Sequence, residues 1–292
     1  MILGELDSAL SLWDRISGWW ERGRQIDPLS ETIPSRFVRL FESHGVHRNQ
    51  IPRFFGHGLS IANMQTDEAL LPKLTEEVLD AACTKFAVRR VWLDGADNQV
   101  HPTHDFYKCP EQFAAFIDAL RSENPDVQII GRVLSPKERD WDAQALIVLE
   151  EPIGWIGNKL INRFHLCDDW TFSYWKARAY LAACVALAWD RNIYIHGVTL
   201  PVEQIKKYDE GRTLLGWGGK GVDSLHGHRW HPEDMALKPK VFLNGIDPER
   251  DNFGLKSGLK LWLELEAQGL MEMDLPYDNV RAKFMAELEK YQ

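Results

Sequence analysis

Long apolar runs are missing from this chain of 292 residues: nowhere do the roughly eighteen consecutive apolar residues of a membrane-spanning helix occur together. The opening MILGELDSALSLWDR also lacks the basic region and small-residue cleavage site of a signal peptide, so a cytoplasmic protein with no membrane partner is expected. Cysteine is scarce. Cys83, Cys109, Cys167 and Cys184 are widely scattered and form no C-x-x-C pair, which argues against a zinc ribbon or redox motif and predicts four reduced thiols. Catalytic signatures are absent too. There is no G-x-S-x-G elbow, no H-E-x-x-H, no dinucleotide glycine fingerprint and no cysteine set against a placed histidine, so neither an enzyme nor a bound cofactor is expected. Nor is positive charge in excess: 34 Lys plus Arg against 43 Asp plus Glu leave a net charge of −9, so any contact with nucleic acid has to be local.

What is present divides into three parts: residues 1–30, 31–97 and 98–292. The first carries Leu6, Leu10, Trp13, Ile16 and Trp20 at spacings of three and four, which predicts an amphipathic helix. Its apolar face either completes the core of its own chain or forms a dimer contact. In the second part, Phe37, Leu40 and Phe41 precede a break at Gly45. Residues 47–55 read as another short segment, and Leu74, Val78, Leu79 and Ala82 give a later amphipathic helix. The part closes on Phe86, Val88, Trp92, Leu93 and Gly95.

On these residues the segment 36–95 resembles the Cro and phage-repressor helix-turn-helix family, the xenobiotic-response-element type of regulator. The resemblance covers about a fifth of the chain and implies a small all-α domain in which Val88, Trp92 and Leu93 dock the last helix on the first. It also implies specific binding of double-stranded DNA, in a likeness to regulators that work as homodimers. Arg36, Arg39, His47, Arg48, Asn49, Gln50 and Arg53 are residue types that contact phosphates and base edges. At the position of a recognition helix stand Ser60, Asn63 and Gln65 as base readers, followed by Asp67 and Glu68, whose charges repel phosphate. Four arginines against Glu42 leave residues 36–53 with a local charge of +3, which suits a phosphate-contacting stripe or a solvated face.

Residues 98–292 predict an α+β module with an antiparallel or mixed sheet. Residues 96–109 show no apolar period and read as a connector, and 110–121 as a helix. Strands are expected at 127–134, 145–150 and 153–166, the last bent or bulged at Gly154 and Gly157. A long apolar helix is expected at 170–190, a strand at 193–198 and a short helix at 201–209. Further on, 240–243 reads as a strand, and 258–268 and 278–292 as helices. Adjacent carboxylates at Glu150 and Glu151, and at Asp168 and Asp169, point to opposite faces of a strand and cannot share one substrate.

Helix-turn-helix followed by an α+β module is an arrangement in which the second part senses a small molecule or a partner. Trp155, Arg163, Tyr174, Trp175, Arg178 and His196 are the groups suited to hold a planar or anionic effector. Residues 216–221 contain four glycines and Lys220 but lack the P-loop spacing, and read as a loop. His226, His228 and His231 cluster without cysteine and read as a polar turn, with no metal expected. The chain is therefore expected to be a DNA-binding regulator of repressor type with an effector-sensing module. The alternative is an adaptor that keeps the helix-turn-helix fold for protein contact.

Overall fold

The computed structural model describes residues 31–138, 142–221, 225–273 and 279–291. The amphipathic segment expected within residues 1–30 lies outside them. No helix of the described residues is long and apolar enough to cross a membrane, and all four cysteines are free.

Helix α1, Ile33–Ser43, starts where Thr32 Oγ1 accepts the Ser35 amide at 3.3 Å, with Pro34 in its first turn. Phe37, Leu40 and Phe41 lie on its buried face. A short turn at Arg48–Gln50 leads into α2, Ile51–Phe55; it is closed by a reciprocal cap in which His47 Nδ1 accepts the Asn49 amide and Gln50 Oε1 the His47 amide. After α3, Asp67–Leu70, come α4, Glu76–Phe86, and α5, Arg90–Leu93. The rings of Phe37, Phe41, Phe55 and Phe86 meet at centroid distances of 4.8–5.9 Å. Each such buried ring contributes about 1.5–3 kcal/mol. Trp92 and Leu93 are buried in the same cluster.

The segment expected to be a recognition helix is not helical. Residues 60–65 form consecutive turns, with the Asn63 amide on the Ser60 carbonyl at 3.0 Å and that of Met64 on Ile61 at 3.1 Å. The reason is local. Ser60 and Asn63 bond each other, and Thr66 caps a fresh helix at Asp67, which stops the turns from growing into one element.

Among the described residues six strands form one mixed sheet: β1 Thr103–Asp105, β2 Ile130–Pro136, β3 Gln144–Ile156, β4 Lys159–Thr171, β5 Ile195–Leu200 and β6 His228–Trp230, in the order β1-β4-β3-β2-β5-β6. The pairs β1/β4 and β2/β5 are parallel and the remainder antiparallel. Four local expectations change. The connector contains β1, whose three residues are too short for a period to register. Pro152 does not end a strand, because β3 carries it at a bulge opposite Asn162. The hairpin between β3 and β4 instead turns at Gly157 and Asn158, where Gly157 takes φ +60°. Residues 240–243, expected as a strand, are helical, since Pro239 opens a first turn that a ladder would reject.

The remaining helices are α6 Pro110–Glu123, α7 Trp175–Asp190, α8 Val202–Asp209, α9 Asp234–Leu237, α10 Pro239–Leu243, α11 Phe253–Ala267 and α12 Val280–Glu289. Alternation along the strands sorts residues to two buried faces. Val133, Ala145, Ile147, Leu149, Cys167 and Ile195 join the core with α6, α7, α11 and α12. Leu134, Leu146, Val148, Leu166, Val198 and Leu200 pack with Ile205 and Tyr208 of α8 and with Leu215 and Leu225. Because α7 is covered on all sides, its apolar residues run around it rather than along one stripe.

The helices of residues 33–93 rest on the far part of the β3–β4 hairpin, where Ile161 joins their core and Ile153 and Ile156 pack against it. The glycine-rich loop serves this contact. A side chain at Gly216 would collide with the backbone of Ser43 and His44, so only glycine permits the approach. Beside it Lys159 Nζ donates to the Gly45 carbonyl at 3.1 Å.

Candidate functional site

The ten residues expected to read DNA separate into engaged and exposed groups. Arg36 is buried and donates from Nη1 to the Trp92 carbonyl at 2.7 Å. Arg39 pairs with Glu31 and lies over the Trp92 ring. Arg48 donates from Nε to the Met64 carbonyl and from Nη2 to Asp67 at 2.8 Å. His47 and Gln50 make the reciprocal cap, while Ser60, Asn63 and Gln65 bond within their own turns. Asn49 and Arg53 are exposed, and Arg53 has no hydrogen bond or ion pair among the described residues.

The six residues expected to hold an effector do not converge. Trp155 is exposed near the hairpin turn, and His196 is exposed on β5. Tyr174 is the exposed N-cap of α7, and Trp175, in the first turn, meets Phe253 edge-on at 6.2 Å. Arg163 belongs to a structural node on β3 and β4. There Glu151, fully buried, accepts Arg163 Nε at 2.6 Å and Nη2 at 2.8 Å, His165 Nε2 at 2.8 Å and Asn124 Nδ2 at 2.7 Å. Burial would raise the Glu151 carboxyl, but the bonds from His165 and Arg163 outweigh it and hold the group below the usual carboxylate value. Glu150 faces the other side of the sheet beside Asn162 and Gly221. Among the described residues no three His, Cys, Asp or Glu side chains are placed to share an ion; His231 lies 3.1 Å from Glu233, and His228 is on β6.

Trp175 lines a polar groove with Lys108, Tyr180 and Lys260, whereas Arg178 lines a separate cleft whose other walls the structure supplies. The cleft, of about 280 Å³, opens at the C-terminal ends of the parallel strands β2 and β5 and is closed by Phe172 and Ser173 after β4, by Trp230 on β6 and by Val241, Asn244 and Gly245 at the end of α10. The carboxyl ends of parallel strands are where open α/β sheets leave a crevice for ligands. Ser135 and Thr199 are partners in register on β2 and β5, and their hydroxyls lie 3.1 Å apart on the cleft wall. Gly197 makes room for Trp230: a side chain there would occupy the indole.

Arg178 enters from the second turn of α7. It is 1% exposed, donates to the carbonyls of Phe242 at 2.9 Å, Asn244 at 3.0 Å and Phe172 at 2.7 Å, and lies 3.6 Å over the Phe172 ring. No carboxylate among the described residues pairs with it. Desolvation by burial therefore acts unopposed and pulls the guanidinium down to about 9. Sequence reasoning missed Ser135, Phe172, Thr199, Trp230, Asn244 and Gly245, because five separate segments bring them together and none carries a motif. No family model, characterised protein or solved structure matches the chain.

Proposed function

We propose that the chain is a ligand-responsive regulatory adaptor: the cleft between β2, β5, β6 and α10 takes a small molecule, and the helices of residues 33–93 carry the output by protein contact. The observation that carries this reading is the cleft itself, a concave site at strand ends with aromatic walls and a few convergent polar groups. The glycine-tight contact between residues 43–45 and 216–219 gives a rigid path from the sheet to the helices. Protein contact is favoured for the output because Arg36, Arg39 and Arg48 are committed to internal partners and residues 60–65 offer no helix for a major groove.

A second reading, a homodimeric DNA-binding regulator of the repressor type, draws on the exposed Asn49 and Arg53 beside Gln50. Two experiments separate the possibilities. Incubating the purified protein with a metabolite extract, and comparing by mass spectrometry what it retains with what the Val241→Trp variant retains, tests the cleft. The parent should hold small molecules that the filled cleft releases, and identical sets in both would end the cleft reading. Selection from random duplex DNA at about 50 mM salt, where modest phosphate contacts hold, should enrich nothing. An enriched half-site lost on Arg53→Ala would replace protein contact by operator binding.

A further inference from the structure

Resting on the reading that this cleft is the ligand site, we infer that its ligand is a small organic monocarboxylate with a flat apolar body, the carboxylate lying against Arg178 and the body against Trp230 and Val241.

The first ground is charge. A buried guanidinium is ordinarily paired with a carboxylate, yet Arg178 has only carbonyls and an aromatic face around it. Three of its five donor hydrogens are used, which leaves one on Nε and one on Nη2, adjacent atoms of the fork that grips a carboxylate. Gly245 borders the Nη2 side, where a methyl group would stand 3.6 Å from that nitrogen.

The second ground is the polarity of what is unsatisfied. Among the residues lining the cleft, the buried polar atoms without a partner are Arg178 Nε and Trp230 Nε1, both donors; no cleft-lining oxygen is in that position. Two buried donors without partners favour a ligand that brings acceptors to them.

The third ground limits the charge to one and the size to a few rings or branches. The carbonyl oxygens of Phe172, Phe242 and Asn244 already crowd the guanidinium, and Glu138, whose carboxylate accepts the Val202 amide at 3.0 Å, stands at the rim beside Lys137. That much negative potential disfavours a dianion. A volume of about 280 Å³ falls below the range of about 300–1,000 Å³ typical of drug-sized ligands, which excludes dinucleotides.

The test uses three probes on the full-length protein at neutral pH: benzoate, its uncharged isostere benzamide, and inorganic phosphate, each titrated calorimetrically to about 20 mM, well past the millimolar affinities of small fragments. Benzoate should bind, benzamide at least about tenfold more weakly because it loses the charge-assisted bonds, and phosphate more weakly still. Arg178→Gln should abolish the preference for benzoate over benzamide. Because Arg178 also clamps three carbonyls, that variant could unfold; Val241→Trp leaves the clamp in place and should remove benzoate binding on its own. Benzamide equal to benzoate, phosphate tighter than both, or no binding of benzoate at all would each overturn the monocarboxylate assignment while the metabolite comparison still judges the cleft. Benzoate binding unchanged in Val241→Trp would remove the ligand from the cleft altogether.

Discussion

Glu151→Gln isolates the buried node that fastens α6 to the sheet. In the parent, both carboxylate oxygens are saturated, Oε1 by Asn124 and Arg163 Nη2, Oε2 by Arg163 Nε and His165. An amide in that place turns one acceptor into a donor facing two donors, and it leaves Arg163 without its buried counter-charge. Breaking such a pair costs about 3–5 kcal/mol. Arg163 is 13% exposed and retains Glu123 at 3.3 Å, so the lower end applies, about 3 kcal/mol. For a chain of this size that corresponds to a fall in Tm of roughly 6–12 °C. Urea unfolding followed by tryptophan fluorescence reads the loss directly. The pH dependence adds a second signature. Because the folded carboxyl sits below its unfolded value, its contribution is complete above roughly pH 4.3 and disappears as pH falls through the folded value. The gap between parent and variant should therefore be constant at neutral pH and close in acid. A loss under about 1 kcal/mol, with the same gap at every pH, would show that Arg163 and His165 find other partners and that the node is not a fastening.

Two further outcomes follow from the helical part. His44, buried with its Nδ1 2.7 Å from the Leu40 carbonyl, is lowered by burial to about 4. Between about pH 6.5 and 4 the unfolded chain takes up a proton that the folded one refuses, so stability should fall with pH by up to roughly 1.4 kcal/mol per unit. His101, also buried and lowered to about 3, loads the same limb, so His44→Gln should reduce its slope rather than remove it in pH-resolved urea unfolding, and an unaltered slope would refute the neutral buried state. Arg36→Ala should lower stability by about 2–3 kcal/mol, because it opens a cavity and removes a buried bond to the Trp92 carbonyl, which keeps only the Gly95 amide, whereas Arg53→Ala should stay within about 0.5 kcal/mol. Equal effects in thermal unfolding would contradict the division into engaged and exposed arginines.

Much of the element content was legible in the residues. Helical spacing located α1, α4, α6 and α7, and glycine at 154 and 157 marked the places where the β3–β4 hairpin bulges and turns. Residues 60–65 and 240–243 depart from their pattern because each is governed by a stronger local signal: Ser60–Asn63 bonding and the Thr66 cap in one, the preceding Pro239 in the other. The effector set was assembled by residue type. Five of its six members lie elsewhere in the fold, because type alone carries no information on which side chains meet.

By itself the chain determined that it buries a core without disulfides, that its chemistry is not announced by a linear motif, and that residues 36–53 carry a local charge of +3 within an acidic chain. Periodicity and caps are local, acting over three or four residues, so they can be read from the linear order. Only the tertiary structure decided that Arg36 and Arg48 are internal braces, that Glu151 is an ion-pair hub, and that Arg178 stands in a cleft without a counter-ion. Those facts depend on pairings such as Ser135 with Thr199 and Arg178 with Asn244, separated by more than sixty residues. Such pairings exist only once β2 and β5 are side by side and α7 is packed beneath them, because burial and charge compensation are properties of the assembled neighbourhood.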